Sequence, residues 1–220
     1  MAYPTVSKPY GLKPINLIGG QVFAGATRQR RIASNASSIG YGDPLKFVND
    51  GTVAVTTEES TAPTRGFAGV FLGCTFVSSV TGQPTYSQAW ISGTSVKANT
   101  FIYAYVVDDP DTLFKVVGVT ASLVVSTTGG FVYSDVGTNV ELVANTLNTT
   151  TNDSQQGVRV GSVATTRSLP IRIVDVVEDT AFVSSGTVYY PEVIVKFNAP
   201  YITDTSLIVG GHAYYNPLGT

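Results

Sequence analysis

Apolar residues in this chain recur in short runs, often alternating with polar neighbours, and almost nowhere at helical spacing. The clearest alternation is at the end: Val193, Val195 and Phe197 share one face of an extended segment, and Glu192, Ile194 and Lys196 share the other. The densest run is Phe101-Ile102-Tyr103-Ala104-Tyr105-Val106-Val107, followed by Asp108-Asp109-Pro110-Asp111 and then Thr112-Leu113-Phe114-Lys115-Val116-Val117. Two β-branched and aromatic runs around an acidic proline segment predict a hairpin or tight strand connection. Both faces of the first run are apolar. It is therefore expected to be covered on both sides, by a second layer of the same chain or by a neighbouring subunit.

Further strands are expected at residues 15–18 and 21–23 around Gly19-Gly20, at 27–32, and at 45–48 and 51–55 around the Asn49-Asp50 turn. Residues 66–77 form a long apolar run whose Gly66, Gly69 and Gly73 predict bulges or close backbone approach. Residues 78–88 read as a loop ahead of a strand at 88–91, where Trp90 is read as core. Later strands are expected at 121–126, 129–133, 140–143, 158–163, 171–177, 181–183 and 192–197. The one helical candidate is a short turn near residues 135–142, with Asp135 as its cap. Residues 145–157, rich in Asn, Thr, Ser and Gln, read as a surface loop.

About a dozen short strands separated by turn signals predict an all-β fold, a β-sandwich or barrel-like domain of short antiparallel strands with extended N- and C-terminal arms. Pro4, Pro9 and Pro14 exclude a regular helix at the front, so residues 1–14 are expected to be an extended arm. Residues 15–200 form the β-rich domain, with room for two lobes, and 201–220 an extended aromatic tail.

Composition narrows the function classes. A chain of 220 residues buries roughly 70% of its unfolded surface and needs no staple to form a core. Charged residues make up 13% of it, against about 25% in an ordinary soluble domain. Either the surface is rich in Ser, Thr and Asn, or much of it is buried in an assembly. The net charge of -2 comes from 13 basic and 15 acidic groups with no long run of either sign, which disfavours nucleic acid and anionic membrane as partners. No cationic start leads into an apolar segment, and no apolar run approaches the roughly 20 residues of a membrane helix, so synthesis in the cytoplasm as a soluble chain is expected.

Candidate chemistry is sparse. Cys74 is the only cysteine and reads as a small buried hydrophobe. His212 is the only histidine, and no Ser-centred elbow, phosphate loop or dinucleotide fingerprint accompanies it. Asp108, Asp109 and Asp111 read either as hard-cation ligands or as turn aspartates bonded to their own backbone, and the spaced ligands of a calcium loop are missing. A facing carboxylate pair of the glycosidase kind stays open from sequence. No catalytic residue, cofactor or metal is assigned. Contact candidates are Tyr3, Pro4 and Tyr10 in the arm, Arg28 and Arg30, which share one strand face while Arg31 points to the other, Tyr103 and Tyr105, and Tyr214 and Tyr215 in the tail. For the arm tyrosines the alternative is a frayed terminus, and for the arginines a solvated or intrachain-paired face.

Several segments together resemble a known class. They are Leu12-Lys13-Pro14-Ile15-Asn16-Leu17-Ile18-Gly19-Gly20-Gln21, Val70-Phe71-Leu72-Gly73-Cys74 with Gln83-Pro84-Thr85-Tyr86-Ser87-Gln88, Val106-Val107-Asp108-Asp109-Pro110-Asp111, and Val193-Ile194-Val195-Lys196-Phe197-Asn198. From about Tyr10 to Asn198 the chain is similar to small virion structural proteins of tailed bacteriophages, marine ones especially. The resemblance implies a capsid decoration, or cement, protein: β-rich, non-enzymatic and bound outside the shell of the major capsid protein. It also implies a homo-oligomer, with a trimer favoured, placed on the virion surface after synthesis in the host cytoplasm. The alternatives are a virion-surface receptor- or glycan-binding module and a carbohydrate-active enzyme.

Overall fold

The computed structural model describes residues 6–33 and 35–198, together with the backbone of two short strands beyond them. The first half contains β1 (Lys13–Leu17), β2 (Arg28–Ile32), β3 (Pro44–Phe47), β4 (Val53–Val55), β5 (Phe67–Val77), β6 (Pro84–Ser87) and β7 (Ile102–Val107). The second contains β8 (Thr112–Val119), β9 (Asn139–Val140), β10 (Leu142–Val143), β11 (Gly157–Arg159), β12 (Ile171–Val176), β13 (Phe182–Ser184), β14 (Thr187–Tyr189) and β15 (Glu192–Phe197). Beyond these, β16 (Tyr201–Ile202) pairs with β17 (Ile208–Val209). The fold is all-β, and the helical turn expected near Asp135 is instead a 3-10 turn, Tyr133–Asp135, running into β9. Asp135 ends that turn, accepting the Val132 amide at 2.9 Å.

Six strands in the order β3-β4-β2-β7-β5-β6 form one sheet, and a further β3–β5 pairing curls it into a nearly closed barrel. The β3–β4 hairpin turns at Asn49-Asp50-Gly51, where Asp50 Oδ1 accepts the Thr52 amide at 2.9 Å and hydroxyl at 2.7 Å. Ile32, Leu45, Val53, Phe71, Ile102, Ala104 and Val106 point inward, with Trp90 wholly buried among them. Long β5 bends around this core at two register shifts, one beside Gly69 and one beside Gly73. Gly69, at φ +126, is required: a Cβ there would lie 2.1 Å from the Val107 carbonyl oxygen.

The second sheet runs β10-β11-β8-β15-β12-β9, with β1 also paired to β8. Its inward side chains, among them Phe114, Ile171, Ile173, Val193, Val195 and Phe197, share a core with Leu12, Phe67, Val70 and Val107. Phe197 of β15 stacks on Phe67 of β5 at 4.4 Å between centroids and meets Phe114 edge-on at 5.6 Å, fastening the sheet to the barrel.

The acidic segment after β7 is a tight connection but not a hairpin. β7 pairs with β2 and β5, whereas β8 pairs with β1, β11 and β15, so the chain crosses from barrel to second sheet here. Consequently the two faces of β7 fare differently. Ile102, Ala104 and Val106 fill the barrel and Val107 enters the shared core, but Tyr103 and Tyr105 are only half-buried. The expectation that both faces are covered fails within one chain.

Other departures have local causes. The edge strand β6 lies inside the predicted 78–88 loop, beginning on Pro84, a position that needs no ladder donor. The strand expected at 88–91 is a single bridge, Trp90 to Ile39, and that expected at 121–126 is a turn with one bridge at Val125. Residues 145–157 are not merely a surface loop: Leu147, Ser154 and Gln156 are buried, and Asp153 bridges Tyr41.

Candidate functional site

The period-two alternation of β2 and β7 sorts their side chains between the barrel interior and an open outer wall. Register aligns Arg31, Tyr103, Thr75 and Tyr86 in one row across β2, β7, β5 and β6. The next row runs Gln29, Tyr105, Gly73. Phe101, immediately before β7, is 54% exposed, and Tyr86 is 74% exposed. The Arg31 guanidinium sits 3.8 Å from the Phe101 ring centroid, and Phe101 meets Tyr103 edge-on at 6.4 Å. Neither row contains a carboxylate, and Arg31 has no ion-pair partner among the described residues. Exposed Tyr and Phe beside an ordered Arg, on a rigid sheet, have the composition of a protein contact centre.

The sequence-predicted contact residues separate accordingly. Tyr103 and Tyr105 stand on the wall. Arg28 and Arg30 lie on the opposite strand face, and both pair with the buried Asp108, Arg28 Nε and Arg30 Nη2 each 3.1 Å from Oδ2. Asp111 pairs with Lys196 at 3.5 Å, while Asp109 Oδ1 accepts the Asp111 amide at 2.9 Å, so the acidic connection is tied down within the chain. Tyr10 docks on the chain's own second sheet. Its hydroxyl donates to Glu192 Oε1, whose other close partner is Lys115 Nζ at 3.4 Å, and Lys13 Nζ lies 4.7 Å from its ring centroid. Burial first, then the Glu192 hydrogen bond and charge, hold the Tyr10 hydroxyl far above its ordinary pKa, so it is a neutral donor. Tyr3, Pro4, Tyr214 and Tyr215 lie outside the described residues, as does His212.

Sequence reasoning missed Arg31, Phe101 and Tyr86 as wall residues. The alternation through Tyr103 pointed to Phe101 and the opposed faces of Arg30 and Arg31 to Arg31; Tyr86 was hidden by the loop assignment. It also missed two buried carboxylates. Glu192 is 3% exposed, and Asp43 is 1% exposed beneath the Gly40 amide, which donates to Oδ2 at 2.7 Å. Burial pushes Asp43 up to about 6 against the lowering influence of Ser154, Gly40 and Gln156. Among the described residues, Asp43 Oδ1 and both Gln156 amide atoms lack a partner in hydrogen-bond geometry. Cys74 is buried, and burial raises its thiol to about 11, away from nucleophilic use.

An open cleft of about 700 Å³ lies among the loops carrying Ser38, Thr57, Ile91, Asn145 and Leu147, and none of the described residues lining it is ionisable. Among the described residues no group of three His, Cys, Asp or Glu side chains is placed to hold a metal ion. No protein-family model, curated protein or solved structure matches the chain.

Proposed function

We propose that the chain is a non-enzymatic structural protein of a virion that binds the outside of an assembled capsid shell and stabilises it. The observation that carries this reading is the open wall, where Phe101, Tyr103, Tyr105, Tyr86 and Arg31 form an aromatic, basic surface on a rigid sheet. A charged fraction of 13% supports it, because surface buried in an assembly needs little charge. The resemblance of residues 10–198 to tailed-phage virion proteins supplies the partner, the major capsid protein, and favours a trimer on the capsid surface. Binding the assembled shell and not its separated subunits stabilises the shell by mass action, by about 2.7 kcal/mol per site at a free concentration about 100 times Kd.

The test is sedimentation of the purified protein with empty shells. Saturation at a fixed ratio per capsomer is expected; no co-sedimentation at micromolar concentration would sink the proposal.

One observation favours a second reading, a virion-surface glycan-binding module. Tyr103 and Tyr86 flank Thr75 in one row, two strand spacings or about 9.6 Å apart, which would let both rings stack on one saccharide chain. Titration with neutral oligosaccharides separates the two, since only this reading expects saturable binding that Tyr86→Ala abolishes.

A further inference from the structure

The β13–β14 hairpin belongs to neither large sheet. Its ladder, Phe182 to Tyr189, Val183 to Val188 and Ser184 to Thr187, is closed by Ser185 and Gly186 at φ 50 and 80, the two-residue turn that matches strand twist. Phe182 and Tyr189 pack together on one face at 5.8 Å between centroids. The other face presents Val183 and Val188 side by side, 67% and 45% exposed. The hairpin is anchored at its foot by the Phe131–Tyr190 bridge, but a two-stranded ribbon is marginally stable in water, so one that displays an apolar pair gains from being covered. At its base Asp175, Glu178 and Asp179 are exposed, with no cationic partner among the described residues.

The open wall has the complementary chemistry. It offers aromatic rings in place of aliphatic side chains, and among the described residues its outward Arg31 has no ion-pair partner, as Asp175, Glu178 and Asp179 of the hairpin's base have none. The two features lie on different parts of the chain, the wall on the barrel and the hairpin between β12 and β15 of the second sheet. Joining them between copies is a head-to-tail contact, the kind that closes into a ring when the rotation allows.

We infer that the β13–β14 hairpin of one copy docks on the open wall of a second copy, setting Val183 and Val188 against Phe101, Tyr103 and Tyr86, with Glu178 and Asp179 facing Arg31. This rests on reading the wall as an assembly contact, and it takes the wall's partner to be a neighbouring copy of the chain and not the capsid protein. The contact is polar at its edge and apolar at its centre, so charge sets its orientation and the hairpin valines its persistence.

A charge swap tests it without touching either core. Sedimentation velocity is run on wild type, Arg31→Glu, the Glu178→Lys/Asp179→Lys pair, and all three changes together, with circular dichroism confirming the fold of each. Wild type is expected to self-associate, each reversal to weaken association about tenfold or more by placing like charges together, and the combination to recover most of the loss. A monomeric wild type, reversals without effect, or a combination no better than its parts would each overturn the inference. If wild type is monomeric while Arg31→Glu loses shell binding, the wall is occupied by the shell and only the proposed function survives. Self-association rescued by the swap without shell binding would leave the inference standing and remove the proposed function.

Discussion

Gly69→Ala should be among the most damaging single-methyl additions in the chain. The residue lies at φ +126, where an L side chain is strained, and the new Cβ would stand 2.1 Å from the Val107 oxygen and 2.8 Å from Val106 Cγ1. β7 cannot retreat, because Val106 is packed in the barrel core and Val107 in the core shared with the second sheet. Backbone strain of about 1–3 kcal/mol and overpacking of about 1–3 kcal/mol sum to about 2–6 kcal/mol, a large part of the roughly 5–15 kcal/mol that holds a domain folded. Gly82→Ala is the control without a clash: φ is +69 there and no atom of the described residues lies within 4 Å of the new Cβ, so it carries left-handed strain alone. Urea unfolding at one protein concentration, followed by the fluorescence of the single, fully buried Trp90, reads both variants. The midpoint of Gly69→Ala should fall about 1–2 M, clearly further than that of Gly82→Ala. Equal midpoints would refute the wedging of β5 against β7.

Two further perturbations probe the buried carboxylates. Tyr10→Phe leaves the 3%-exposed Glu192 with Lys115 as its close partner, and should cost about 1–3 kcal/mol in the same urea assay; an unchanged midpoint would show that residues 6–12 are not held on the second sheet in solution. Asp43, raised from 3.8 to about 6, contributes stability that is complete below about pH 4 and lost as pH rises through about 6. Relative to Asp43→Asn, wild type should therefore lose up to about 3 kcal/mol between about pH 4 and pH 8. A difference that stays flat with pH would contradict the buried placement of that carboxyl.

Much of the fold is legible in the chain because it is local. The alternation of Val193, Val195 and Phe197 against Glu192 and Lys196 marks β15 and its buried face, Asn49-Asp50-Gly51 marks the β3–β4 turn, and Gly69 and Gly73 mark the bends of β5. The opposed faces of Arg30 and Arg31 also follow from strand geometry alone. What stays hidden is partnership. Nothing around Asp108-Asp109-Pro110-Asp111 distinguishes a hairpin from a crossing between sheets, since both need the same tight turn, and only the pairings of β7 and β8 decide it. Pro84 and the polar residues around it mask an edge strand, and with it Tyr86, the outermost ring of the wall. Glu192 alternates like a solvent-facing residue and is buried because Tyr10, 182 positions away, comes to cover it.

The central claim, that this chain stabilises an assembled shell from outside, is tested most directly by calorimetry of purified empty shells with and without the protein. Saturating protein should raise the temperature at which the shells come apart and leave the unfolding temperature of isolated capsid subunits unchanged. A disassembly temperature that does not move at saturation, or an equal shift for the isolated subunits, would contradict it.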